Sequence, residues 1–348
     1  MIRLLGFRLP GLRSLEAFKP RVDRFLGGFP SVIFLIILAF VIGFNVGCWY
    51  TEASRRWTLT VGGSHFVSPF LTKPEVVRRG DDGPRKRIMC MILTSPATHR
   101  SRAVHVMATW GRHCDGLVFL TSGKDVLLPT LLVEDSVDRY AALWLKLREG
   151  LGHLYENYIR DYDFFLKVDD DSYVVVENLR NWLESREKSD EGLYAGLLMR
   201  PLLKDRARID VAYAGGGAGY VMDRTALQRF VEEALTKPDC YENTKTYAED
   251  MQVGLCFELI GIKPTNFVDD QGKTHFLPMS LQELYVPGLR KSHVKWMEEQ
   301  LVEPISDNVG CCASDLISIH YVQPDDMYLM EFLIYHFNLT ERPIDANR

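Results

Sequence analysis

The chain has 348 residues, 47% hydrophobic and 25% charged, an ordinary globular balance with length enough for one large domain plus appendages. A formal net charge of −5, with no basic patch interleaved with aromatics, sets nucleic acid aside as a partner.

The N-terminus speaks to topology. Phe25 to Thr51 carries no charged residue, and Val32 to Phe44 is almost wholly aliphatic or aromatic, a stretch long enough to span a bilayer. Arg8, Arg13, Lys19, Arg21 and Arg24 precede it, whereas only Arg55 and Arg56 lie close behind, so the positive-inside rule puts the N-terminus in the cytosol. A cleaved signal peptide has a shorter apolar region nearer the start, and a buried core helix lacks such basic flanks. The expected order is therefore a cytosolic tail (1–25), a transmembrane signal anchor (26–51), a stem (52–86) rich in Gly, Pro, Ser, Thr and Arg, and a folded domain (87–348). Of seven cysteines, Cys48 falls in the anchor. Cys90, Cys114, Cys240, Cys256, Cys311 and Cys312 lie beyond it, an even number in an oxidising compartment. Zinc is the other use for such a set, but no CxxC or HxxxH spacing supports it. The sequon Asn338-Leu339-Thr340 fits a lumenal C-terminus.

Within the folded domain, Arg87 to Leu93 (RIMCMIL) reads as a first buried strand, ended by Thr94-Ser95-Pro96. Ser101 to His113 carries Ala103, Val106, Met107 and Trp110 at helical spacing, and Gly116 to Thr121 (GLVFLT) is a second strand. This βαβ rhythm implies a parallel sheet. Asp135 to Tyr158 is amphipathic, with Tyr140, Leu143, Trp144, Leu147, Leu151, Leu154 and Tyr158 recurring every three or four residues as core positions.

Phe164 to Val176 (FFLKVDDDSYVVV) holds the chemistry. An apolar run ends in three consecutive carboxylates and a second apolar run follows, which reads as a buried strand delivering acids into a crevice. Asp169 and Asp171, at first and third positions, can point the same way and share a hard divalent cation. A solvated turn is the plainer reading, yet acids pressed against FFLKV and YVVV repel one another unless a cation or hydrogen bonds compensate them. An EF-hand is excluded, because Tyr173 stands where a ligand belongs. After a helix over Glu177 to Arg186 and a strand over Leu193 to Gly196 comes Tyr213 to Met222 (YAGGGAGYVM), whose glycines allow close backbone approach to a ligand or a bulged strand equally well. Asp223 caps a helix through Glu233; Glu249 and Asp250 open another, where acids commonly just complement the helix dipole. Lys263 to Val309 is loop-rich, with Trp296 an isolated aromatic. His320 closes a strand-like alternation, and Pro324 to Phe337 reads as a helix.

FFLKVDDDSYVVVENLR resembles the DxD segment of glycosyltransferase family 31, in particular its core 1 β1,3-galactosyltransferase branch. ATWGRHC, YAGGGAGYV, the ED-x-x-x-G at Glu249 and GCCASDLISIHYV resemble further segments of that family, in the same order. The resemblance covers about Arg87 to Phe337. It implies an α/β, GT-A-like fold with a mixed, mainly parallel sheet behind a single transmembrane helix, in a type II protein of the Golgi membrane with its catalytic domain (87–348) lumenal. It implies an inverting, Mn²⁺-dependent transfer of galactose from UDP-galactose to O3 of GalNAc on Ser/Thr of glycoproteins, and leaves room for a homodimer. By the same resemblance Asp169, Asp171 and His320 hold the metal. Thr94, Asp138, Lys146, Asp169 and Tyr328 border the donor nucleotide, and Tyr213, Gly216, Gly217 and Trp296 face the acceptor. Asp250 is the general base, with Glu249 positioning beside it. Cys90–Cys114 is the bridge that the family suggests; the remaining spacings permit Cys240–Cys256 with a vicinal Cys311–Cys312. One departure stands out. KWMEEQLVEPISDNVGCC lacks the closely spaced Trp and Tyr residues of core 1 enzymes, which leaves open another family 31 reaction, Fringe-like or GlcNAc-transferring. A non-catalytic chaperone of the same fold is a further alternative, though the intact acidic triplet speaks against it.

Overall fold

A computed structural model of the chain describes residues 85–337, apart from 187–189, 202–210, 242–247, 287–291 and 307–309. The first apolar run is β1 (Ile88–Leu93), every side chain of it buried. A short helix α1 (Val104–Ala108), with a π-turn before it and a 3-10 turn after it, leads to β2 (Gly116–Thr121), then β3 (Thr130–Leu132), α2 (Leu143–Tyr158) and β4 (Phe164–Asp169). β1 pairs in parallel with both β2 and β4, and the register sets Leu93 opposite Asp169. The carboxylate at the end of β4 thus emerges beside Thr94, at the C-terminal edge of the sheet. Next come β5 (Tyr173–Val174), α3 (Val176–Glu184), β6 (Tyr194–Gly196), β7 (Leu198–Met199), β8 (Tyr213–Ala214), β9 (Tyr220–Asp223) and α4 (Arg224–Glu232). The rest is α5 (Pro238–Tyr241), α6 (Glu249–Glu258), β10 (Thr265–Asn266), β11 (Phe276–Leu277), α7 (Leu281–Tyr285), α8 (Ser292–Glu298), β12 (Ser318–Ile319) and α9 (Pro324–Tyr335).

Seven strands form the main sheet in the order β10-β6-β9-β4-β1-β2-β3; its pairings are parallel except those of β9, which runs antiparallel to β4 and β6. The sheet is mixed and mainly parallel, as expected. β11, β12 and β5 make a small second sheet, and β7 with β8 a ribbon. Alternation along β1 feeds two apolar layers. Ile88, Cys90 and Ile92 join Trp110, Leu179 and Trp182 on one face; Met89, Met91 and Leu93 join Trp144, Leu151, Phe230 and Phe257 on the other. Each large apolar side chain so buried stabilises the fold by about 1.5–3 kcal/mol.

One expectation needs correcting. The amphipathic segment becomes α-helical only at Leu143, because Asp138 accepts the Ser122 N–H at 2.6 Å and so holds its stretch in irregular turns. Tyr140, expected in the core, is therefore 73% exposed. The YVVV run pairs for two residues in β5 and then turns into α3. The Asp223 cap is as expected, its carboxylate accepting the Ala226 N–H at 2.7 Å.

Among the described residues there are three disulfides: Cys90–Cys114, Cys240–Cys256 between α5 and α6, and the vicinal Cys311–Cys312. The C-terminal helix α9 is tied down by a polar cluster. Buried His113 sets Nε2 3.0 Å from Glu331 Oε1 and Nδ1 3.4 Å from Glu177 Oε1, and its ring stacks on Tyr335 at 4.1 Å. Arg112 also reaches Glu331, the Tyr335 hydroxyl donates to Glu177, and the Tyr173 hydroxyl donates to Glu331 at 3.0 Å. Burial opposes the imidazolium, but the two glutamates outweigh it and raise the His113 pKa. Burial likewise opposes the Glu177 carboxylate, but hydrogen bonds from His113 and Tyr335 bring its pKa down to about 2.

Among the described residues no helix is long and apolar enough to cross a membrane. The expected tail, anchor and nearly all of the stem lie outside them, as does Asn338.

Candidate active site

β4 is apolar but for Lys167 and its last residue, Asp169, so the sheet itself carries that carboxylate to the edge. The turn that follows is pinned from three sides. The Trp110 indole donates to the Ser172 carbonyl at 2.8 Å, the Ser172 hydroxyl to the Gly217 carbonyl at 2.8 Å, and the Thr94 hydroxyl to Asp170 at 2.7 Å. Asp170 is spent on Thr94, which leaves Asp169 and Asp171 facing one point. His320 joins them directly after β12, where its N–H donates to the Leu277 carbonyl at 2.9 Å and the Val322 N–H to the Asp171 carbonyl at 2.8 Å. One ligand atom from each of Asp169, Asp171 and His320 lies within 4.8 Å of the others, and His320 Nε2 is 3.1 Å from Asp171 Oδ1. Two carboxylates and an imidazole make a donor set that fits a divalent ion such as Mn²⁺. Burial opposes the Asp171 charge, but His320 and Arg102 hold its pKa below the ordinary value.

The glycine-rich stretch is the loop from β8 to β9, not a bulged strand, and its glycines are sterically required. A Cβ at Gly217 would lie 2.1 Å from the His320 ring, and one at Gly216 would lie 2.6 Å from Glu249 Oε1. Gly219 takes φ of +97°, the left-handed region that glycine favours.

α6 begins at Glu249 with no side-chain cap. Asp250 instead accepts the Gly216 N–H at 2.9 Å and the Met251 N–H at 2.8 Å. Burial raises its pKa against those bonds. Glu249 is buried beside it, and burial, offset by Lys167, brings its pKa up to about 7. Glu249 Oε2 is buried with no hydrogen-bond partner.

Asp250, Glu249, the cluster of Asp169, Asp171 and His320, Thr94, Asp138, Lys146, Tyr213, Gly216, Gly217 and Trp296 line one cavity of about 560 Å³. Volume of this order suits a ligand of nucleotide-sugar size. Lys146 is buried, with Nζ 2.6 Å from Asp138 Oδ1 and donating also to the Thr94 carbonyl. Trp296, on α8, is 49% exposed. Tyr328 is set apart from these residues. It stands on α9 outside the lining, its hydroxyl 3.1 Å from His105 Nδ1.

Sequence reasoning missed three residues here. Lys167 is 2% exposed and meets Asp169 Oδ1 at 2.9 Å, the Gly216 carbonyl at 3.1 Å and the Glu249 carboxylate. A lysine inside FFLKV was itself the signal, since a buried ammonium demands anionic partners. Arg102 reaches Asp171 at 3.1 Å and Asp170 at 3.4 Å. Tyr321, at φ of 56°, stacks on His320 at 3.8 Å; nothing in the sequence announces it.

Residues 84–269 match the model of the Fringe-like family. Over 277 residues the chain is 33% identical to the glycoprotein-N-acetylgalactosamine 3-beta-galactosyltransferase 1 of Xenopus laevis, covering 79% of this chain and 72% of that one. It is 31% identical over 148 residues to the chondroitin sulfate glucuronyltransferase of Homo sapiens, 42% of this chain but 18% of that one. Among solved structures, a glycosyltransferase involved in the glycosylation of the major capsid of PBCV-1 aligns with a TM-score of 0.31 at 13% identity, over 53% of this chain and 85% of that one. An active-site mutant of LgtC aligns with a TM-score of 0.37 at 13% identity, over 67% and 86%.

Proposed function

Since the chain belongs to the Fringe-like family of glycosyltransferases, family 31, we propose that it transfers galactose from UDP-galactose to O3 of GalNAc on Ser or Thr of glycoproteins, with inversion. The observation that carries the reading is the shared cavity: a metal-ligand triad on one wall and a carboxylate at a helix start on another. Asp169, Asp171 and His320 would hold Mn²⁺. When bound, the ion supplies positive charge to the departing diphosphate. Asp250 takes the proton from the acceptor O3 as that oxygen attacks the galactose anomeric carbon and the bond to UDP breaks in the same displacement. Its raised pKa makes it a stronger base than a solvated aspartate, and the Gly216 and Met251 amides hold it in orientation.

Thr94, Asp138 and Lys146 border the donor. Tyr213, Gly216, Gly217 and Trp296 face the acceptor, with Trp296 presenting an exposed ring to the apolar face of a sugar. The mixed α/β sheet is read as GT-A-like, and the domain as lumenal in the Golgi behind a single N-terminal anchor. Three disulfides suit that oxidising side.

The test uses the full-length protein in detergent with UDP-galactose, a GalNAc-Thr peptide and Mn²⁺ or chelator. Transfer that requires Mn²⁺, yields a β1,3 linkage by NMR, and is lost in Asp171→Ala and Asp250→Asn is the expected result. Protein that binds UDP with Mn²⁺ but transfers nothing would refute the donor or the acceptor, and a panel of UDP-GlcNAc and UDP-glucuronate would follow.

A further inference from the structure

Lys167 sits near the end of β4, between Leu166 and Val168, both essentially inaccessible to water. Neighbouring strands enclose it, with Met91 of β1 and Tyr220 of β9 as its partners in register. An ammonium there costs several kcal/mol in lost hydration unless anionic groups offset it, so a purely structural strand would carry an apolar residue. What offsets it is unusual in origin. The period of two along a strand puts Lys167 and Asp169 on one face, and Nζ lies 2.9 Å from Asp169 Oδ1. It also donates to the Gly216 carbonyl at 3.1 Å and to the Glu249 carboxylate. These three partners belong to the metal-ligand triad, the glycine loop and the start of α6. Gly216 is gripped at both ends, because its N–H donates to Asp250 at 2.9 Å while its carbonyl accepts from Lys167. A closed ring of contacts runs from Lys167 through Gly216 to Asp250, and back through the chain to Glu249.

We propose that Lys167 is the positioning residue that sets the metal ligand Asp169 and the base Asp250 in register with each other. Held by Lys167, the Asp169 carboxylate stays turned toward Asp171 and His320. Through Gly216 and Glu249 the same ammonium fixes where α6 starts, and so where Asp250 meets an acceptor hydroxyl. Lys167 touches no substrate; it acts through its partners. The inference rests on the proposed transferase reading for its second half and on the metal triad for its first.

Lys167→Met alone orphans the buried Glu249 carboxylate and risks misfolding, so the decisive variant is Lys167→Met/Glu249→Gln, a neutral pair of similar shape, with Glu249→Gln alone as control. With full-length protein in detergent, titration calorimetry reads Mn²⁺ affinity in the presence of UDP, transfer kinetics read kcat and acceptor KM separately, and circular dichroism reads melting. Relative to the control, the double variant should keep its melting temperature, bind Mn²⁺ roughly 10–100-fold more weakly, and lose kcat by a similar factor even at saturating Mn²⁺. A lowered melting temperature with Mn²⁺ affinity and kcat unchanged would mean that Lys167 only supports the fold, and would overturn the proposal. If the wild type transfers no sugar yet the variant still loses Mn²⁺ affinity, the reaction assignment fails while the metal half of the inference holds.

Discussion

At Gly217 a single absent methyl decides how His320 sits. A Cβ there would lie 2.1 Å from the imidazole, so Gly217→Ala must displace the ring from its place beside Asp171. The half-activating Mn²⁺ concentration for transfer should rise about tenfold, with part of the rate recovered at high Mn²⁺; a metal titration of the activity checks this. Legibility at this scale followed chemistry. Asp169 and Asp171 were readable because two acids at strand spacing can share a cation, whatever the fold. His320 was not, since a lone histidine far along the chain shows no partner until β12 brings it beside Asp171; only resemblance supplied it. Tyr328 likewise came from resemblance alone; it stands on α9 with its hydroxyl 3.1 Å from His105 Nδ1.

Among elements, α6 matters most, because its first turn presents Asp250. Two constraints hold it: the contacts of Gly216 and Lys167 at its start, and Cys240–Cys256 within its second half. They should separate by experiment. Cys240→Ser/Cys256→Ser should lower unfolding free energy by about 3 kcal/mol, by loss of the loop constraint in the unfolded chain, yet leave transfer at 25 °C within about threefold. Denaturant melts alongside the transfer assay check both parts. The existence of most elements was legible from periodicity, and β2 and β4 stand where the apolar runs put them. The start of α2 was not, because nothing local shows that Asp138 bonds to Ser122 and Lys146 rather than continuing a helix. Nor was the break in YVVV, where pairing partners in β12 last for two residues only.

For the molecule as a whole, pH acts in two opposed ways. His113 has a raised folded pKa, so its contribution is complete below its unfolded value of 6.5 and is lost as pH climbs through the folded value. Glu177 is depressed from 4.5 to about 2, so its share is present above 4.5 and lost toward pH 2. Glu249, raised from 4.5 to about 7, binds a proton more tightly when folded, and stability falls between those values as pH rises. Thermal stability should therefore peak on the acidic side, near about pH 4.5, and His113→Gln should flatten the part of the decline above its unfolded value of 6.5. Melting curves across pH for both proteins check this. Catalysis runs the other way: the proposed base, Asp250, can take a proton only when unprotonated, so kcat/KM should rise with pH along the acidic limb. The mixed sheet was foreseeable from resemblance, and its parallel half from the βαβ rhythm. The antiparallel insertion of β9 was not, since strand order depends on contacts between residues far apart in sequence.

The three disulfides leave a practical asymmetry. They consume every cysteine of the described residues, so of seven thiols in the chain only Cys48 is left over. Denatured without reductant, the protein should take up one equivalent of maleimide by intact mass; reduced first, it should take up seven. A fluorophore could then be placed at Cys48 without engineering, and its quenching by brominated lipid would report directly whether that stretch is embedded in a bilayer.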